Sequence, residues 1–134
     1  MKFWNNLDNT IFFNRVFTCP VEIGEIALFS LKIDNDRPNI ILEFDIQELP
    51  DSPPEKWVKS GFNTCRIGIS CAGLTDLEIK NIPNANPLKM VIIKQQNFFS
   101  VDARSATSSI KFKAKYVSLC GPSVYFCDPD SACY

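Results

Sequence analysis

Apolar positions recur at two different spacings, and the spacing changes near residue 23. Between Trp4 and Phe17 the apolar residues Ile11, Phe12 and Val16 stand four and five apart, with Phe13 and Phe17 another four-residue step. That spacing predicts a short helix, capped by Asp8 or Asn9 and ended by Cys19-Pro20. From Ile23 onward the period is two. Ala27, Phe29, Leu31 and Ile33 alternate with Leu28, Ser30 and Lys32, and Ile40, Leu42, Phe44 and Ile46 alternate with Ile41, Glu43, Asp45 and Gln47. The turn residues Asn35-Asp36-Arg37-Pro38 between them make this a hairpin.

Ser52-Pro53-Pro54-Glu55 then has the spacing of a capping box, with Pro53 at the first helical position and Gly61 placed to end the helix. This predicts a helix of about two turns that turns Trp57 inward and Lys56 and Lys59 outward. Beyond it the period returns to two: Cys65, Ile67, Ile69 and Cys71; then Leu77 and Ile79; then Leu88 to Ile93 after the breaker Pro83-Asn84-Ala85-Asn86-Pro87. Phe98 to Ala103, Ile110 to Tyr116 and Val124 to Cys127 read as the last strands. The fold class expected is mainly β: an antiparallel meander of about seven or eight strands forming a sandwich or partial barrel, with one or two short helices.

Length and composition support a single domain over 1–134, with residues 1–20 helical or irregular and 128–134 a tail. A chain of 134 residues with 46% apolar and 22% charged residues can bury a core and is not of the disordered class. Net charge is −1, which gives no global basic surplus for nucleic acid. The charge is uneven: residues 1–67 carry 7 Lys/Arg against 10 Asp/Glu, or −3, and residues 68–134 carry 7 against 5, or +2. Met1-Lys2 is followed by no continuous apolar segment, and no run approaches the roughly 18 apolar residues of a spanning helix. A cytoplasmic protein with no membrane partner is expected.

Candidate chemistry is sparse. There is no histidine, which removes Ser-His-Asp and Cys-His catalysis and any His-bearing zinc site. The five glycines form no phosphate-binding loop. Six cysteines, Cys19, Cys65, Cys71, Cys120, Cys127 and Cys133, lack a Cys-x-x-Cys spacing and are read chiefly as free thiols. Cys65 and Cys71 lie about 20 Å apart on one strand and cannot pair with each other. A pair or a metal among Cys120, Cys127 and Cys133 stays open. No cofactor and no catalytic residue is assigned.

Two charged stripes and four aromatics are candidates for contacts. Glu43 and Asp45 alternate outward from a strand, and Glu48, Asp51 and Glu55 continue the acidic run. A solvated face is the plain reading of these five; a protein-binding face is the functional one. Lys111, Lys113 and Lys115 form a basic stripe that reads as a device for solubility or for protection of a sheet edge before it reads as a phosphate contact. Trp4, Phe62, Phe98 and Phe99 fall near ends and loops, as core or as interface.

The middle of the chain resembles the immunity protein 50 family, the antidotes of bacterial polymorphic toxins. The resemblance rests on Lys32-Ile33-Asp34-Asn35-Asp36-Arg37-Pro38, Leu42-Glu43-Phe44-Asp45, Leu49-Pro50-Asp51-Ser52-Pro53-Pro54-Glu55-Lys56-Trp57 and Gly61-Phe62-Asn63. It continues through Gly73 to Ile79 and Ile110 to Ala114, and spans roughly residues 4–126. Cys120 to Cys133 departs from the family pattern. The resemblance implies a protein that binds a cognate toxin domain and neutralises it stoichiometrically, without catalysis. It assigns no binding surface; Glu43, Asp45, Glu48, Asp51 and Glu55 are the residues expected to meet the toxin. The alternative is a β-sandwich module binding a small ligand or carbohydrate near Phe62 and Phe98-Phe99.

Overall fold

The computed structural model describes residues 1–83 and 87–128. Eight strands form one open antiparallel sheet: β1 (Glu25–Asp34), β2 (Asn39–Ile46), β3 (Thr64–Ala72), β4 (Thr75–Lys80), β5 (Leu88–Lys94), β6 (Phe99–Arg104), β7 (Ser109–Ala114) and β8 (Tyr116–Tyr125). Two short helices, α1 (Ile11–Val16) and α2 (Glu55–Ser60), accompany it. The spatial order is β4-β7-β6-β5-β1-β2-β3-β8. Meanders therefore run only through β1-β2-β3 and β5-β6-β7, while β4 and β8 each cross to the far edge of the opposite half. β1 joins the halves: it pairs with β2 along most of its length but with β5 only at Glu25 and Ile26.

Period-two patterning places one face of every inner strand in a single core. Ile40, Leu42, Phe44 and Ile46 of β2 pack there with Cys65, Ile67, Ile69 and Cys71 of β3 and Leu88, Met90 and Ile92 of β5. Trp4, Phe13, Val16 and Phe17 of the N-terminal segment close the same cluster, and Trp4 packs 5.3 Å from Phe44, ring to ring. The sheet curls: Ile79 of β4, with Ile82 and Pro83, lines a cavity of about 250 Å³ together with Leu28 to Leu31 of β1.

Local chemistry moved several elements from their expected places. In β1 a bulge falls between Leu28 and Ser30, so Leu28 and Leu31 pack against the core while Phe29 leaves the alternation. Neither Asp8 nor Asn9 caps α1. Asn9 takes a left-handed backbone and its side-chain amide donates to Leu119 O, while the Asp8 carbonyl accepts from Leu119 N–H. These contacts cover part of the open edge of β8. The capping box before α2 does not form. Pro54 is the N-cap and the helix begins at Glu55, because a residue that precedes proline is held out of the helical region and Pro53 precedes Pro54. Ser52 instead donates its N–H to Val16 O. Gly61 ends α2 at a φ of 76° as its type allows.

β8 begins at Tyr116, eight residues before the expected last strand. The ladder with β3 takes up Gly121-Pro122 as a bulge opposite Ile67. The expected breaker at 84–86 and the tail from 129 lie outside the described residues.

Candidate functional site

The five acidic candidates fall into two groups. Glu43 and Asp45 leave the outer face of β2, opposite the buried Leu42, Phe44 and Ile46. Glu48, Asp51 and Glu55 lie on the segment from β2 into α2. Among the described residues no hydrogen bond or ion pair joins the groups.

Asp45 is committed to an internal network. Register pairs it with Arg66 of β3. Arg66 Nε–H donates to Asp45 Oδ1 at 2.9 Å, Arg66 Nη2 donates to Tyr125 Oη at 3.0 Å, and Tyr125 O–H donates to Asp45 Oδ2 at 2.5 Å. The guanidinium lies 3.5 Å from the centre of the Phe29 ring and 4.6 Å from that of Tyr125. The bulge in β1 is what brings Phe29 to this face. The Arg66 and Asp45 side chains are only 22% and 13% exposed, so the pair is partly desolvated, which makes it stiff and sensitive to loss of either partner. Glu43 stands one row away, opposite Gly68. A side chain at Gly68 would put Cβ 2.8 Å from Leu42 O, so only glycine lets β2 and β3 approach here.

The second group is fastened to α1. The Asp51 carboxylate accepts from the Thr18 N–H at 2.8 Å and from the Thr18 hydroxyl, and these bonds hold its pKa below the usual aspartate value. Trp57 meets Phe12 edge to face at 5.5 Å. The Glu48 side chain is exposed, yet local desolvation, with a smaller contribution from nearby Glu22, pushes its carboxyl above the usual glutamate value. Glu55 pairs with Lys59 one turn on at 3.2 Å, both well exposed. Gly61-Phe62-Asn63 serves as an anchor: the Asn63 side chain donates to Cys127 O at 2.8 Å and accepts from Cys127 N–H at 2.7 Å.

On α1, on α2 and on the segment before α2 the structure exposes apolar side chains, among them Ile11 and Phe12 of the face that periodicity had assigned to the core. Ile11 is 73% exposed, Val58 60%, Leu49 43% and Phe12 40%. Helix α1 buries Phe13 and Val16, so its inward face is rotated from the expected Ile11/Phe12/Val16 face. The α1 face was legible only as apolar, because a six-residue helix rich in apolar residues fits more than one rotation.

The basic stripe is not at an edge. β7 lies between β4 and β6, where Lys111 stands opposite Glu78 and Asp102, and Lys113 pairs with Asp76 at 3.4 Å. The edge-protection reading fails because strand order, not alternation, decides which strand is outermost. Lys115 follows β7, in the connection to β8.

Trp4 is core; Phe99 packs half-buried against it. Phe98 lines a cavity of about 330 Å³ with Gly73, Asp76, Asn97, Lys113 and Lys115. Phe62 lies in the anchor after α2, so the aromatics of the small-ligand reading do not share one cavity. Cys65 and Cys71 are buried free thiols pushed up to about 12 by desolvation. Cys120 is a free thiol raised by burial and then by Glu43, and Cys19 is free and exposed. Cys127, whose state the sequence left open, is disulfide-bonded, and Cys133 lies outside the described residues. Among the described residues no group of three Cys, Asp or Glu could hold a metal ion, and no helix is long and apolar enough to cross a membrane.

A protein-family model described as Immunity protein 50 matches residues 9–125, which covers all eight strands and both helices. No curated protein and no solved structure matches this chain.

Proposed function

The chain belongs to the immunity protein 50 family, and from that premise we propose that it binds a cognate bacterial toxin domain and neutralises it by non-catalytic, stoichiometric occlusion in the cytoplasm. The observation that carries this reading is the family match over 117 residues, 9–125. The chemistry of the chain agrees with it. A nucleophile is needed for covalent catalysis, and the buried thiols at Cys65 and Cys71 resist ionisation to about pH 12. No histidine is available as a base near neutral pH.

The contact face is proposed to draw on the acidic residues Glu43, Asp45, Glu48, Asp51 and Glu55. Carboxylates on an inhibitor complement a basic substrate groove, as in a nuclease, and speed encounter. Asp45 and Asp51 already have internal hydrogen-bond partners and Glu55 is paired with Lys59, so Glu43 and Glu48 are the more available carboxylates.

The test is co-expression with the reading frame adjacent to this gene. Expression of that frame alone should arrest growth of a host, and this chain should restore it. Growth arrest that the chain leaves unrelieved would overturn the proposal.

A further inference from the structure

Ile11, Phe12, Leu49 and Val58 are exposed apolar side chains that α1, α2 and the segment leading into α2 leave outside the core. The elements that carry them are fastened to one another: Phe12 and Trp57 touch edge to face, Asp51 accepts from Thr18, and Ser52 bonds Val16. An aromatic-centred apolar patch held on fastened elements is the composition of a protein-binding centre.

The charges around the patch indicate the kind of partner. Glu48 adjoins Leu49 and makes no ion pair among the described residues. Asp51 keeps its charge, because its partners on Thr18 are neutral donors. Glu55 lies three residues before Val58, on the same side of α2. Lys56 stands two residues before Val58, about 200° around the helix, and so leaves α2 on the other side. On α1, Arg15 is one turn from Ile11, and Lys59 is paired with Glu55. Glu48, Asp51 and Glu55 thus stand against two cations on these elements, Arg15 and the already paired Lys59, and the exposed Glu48 is without an ion-pair partner among the described residues, which leaves it open to a partner's cation.

We propose that the toxin seats on the apolar patch of Ile11, Phe12, Leu49 and Val58, and that a lysine or arginine of the toxin meets Glu48. This rests on the immunity reading above and names the surface it uses. The apolar residues supply affinity; Glu48 supplies orientation and salt sensitivity.

The experiment measures binding of the toxin domain encoded by the adjacent reading frame to the unaltered chain and to four variants of it by titration calorimetry. Ile11→Asp and Val58→Asp each alter a side chain that is mostly in water, so the fold should survive, as circular dichroism would verify. Each should weaken binding about 100-fold, the size of a hot-spot loss. Glu48→Gln should weaken it about tenfold at low salt and flatten the salt dependence. Val91→Asp, on the outer face of β5, should stay within about threefold of the unaltered chain. Undiminished binding by both Ile11→Asp and Val58→Asp overturns the surface while leaving the immunity reading intact. Failure of the unaltered chain to bind overturns both. An unaltered chain that is a dimer, and that Val58→Asp converts to a monomer with toxin affinity unchanged, overturns the surface and gives the patch to a second copy.

Discussion

Arg66 lies over the Phe29 ring, packs near that of Tyr125 and donates to both Asp45 and the Tyr125 hydroxyl. Replacing Asp45 with Asn keeps the shape and removes the charge that balances the guanidinium. The variant should lose about 1–3 kcal/mol of stability, read as a lower midpoint in urea with an unaltered slope. An unchanged midpoint would mean that water replaces the pair without cost. Asp45 was legible as one of a row of outward carboxylates. Its partner was not, since Arg66 is 21 residues away and Tyr125 80, and only register and the bulges in β1 and β8 bring them together.

Two carboxylates respond to acid in opposite ways. Asp51 is lowered in the folded state, so its bonds stabilise the fold above the ordinary aspartate pKa, and that contribution disappears as pH falls through the folded value. Glu48 is raised, so ionising it opposes folding. The penalty is absent below the ordinary glutamate pKa and complete above the raised folded one. Asp51→Asn should therefore be less stable than the parent at pH 7, with the gap closing in acid. Glu48→Gln should be more stable at pH 7, and its gap should also close in acid. Thermal melts across pH 3 to 7 check both signs. The thiols offer a second check at this scale. At pH 8 in native buffer Cys19 should alkylate quickly, while Cys65 and Cys71 should stay unmodified until the chain is unfolded. Mass spectrometry of the labelled peptides reads the difference.

At the scale of elements, α1 and α2 have six residues each, far below the length at which a helix holds itself in water. Their stability comes from each other and from the core. Trp57 is half-buried and joins them, so Trp57→Ala should cost about 2–4 kcal/mol, somewhat less than a fully buried tryptophan. Hydrogen exchange should then quicken in both helices while β2 and β3 keep their protection; quickening confined to α2 would show that the helices are independent. Strand patterning was the most legible property of the chain, because alternation maps directly onto one buried face. It failed where a residue was added to a ladder. Phe29 in β1 and Gly121-Pro122 in β8 break the period without ending the strand, and a single sequence shows a bulge and a terminus alike.

At the scale of the whole molecule, the number of strands and their antiparallel pairing followed from the sequence, but their order did not. β4 and β8 cross to opposite edges, and alternation contains nothing about which neighbour a strand chooses. The misplaced lysine stripe has the same origin: β7 has the pattern of a protected edge and lies inside the sheet. The candidate surface was half legible. Charge pointed to the segment from Glu48 to Glu55, and the exposed apolar residues beside it emerged only once the short helices had been oriented.

The central claim, neutralisation by occupancy and not by chemistry, makes a sharp demand on stoichiometry. With the toxin domain of the adjacent reading frame held at fixed concentration well above the dissociation constant, its activity is measured against increasing amounts of this chain. The account predicts a straight-line fall to zero at one equivalent, unchanged by longer incubation. Activity that keeps falling with time at a small fraction of one equivalent, or that persists at large excess, would contradict it.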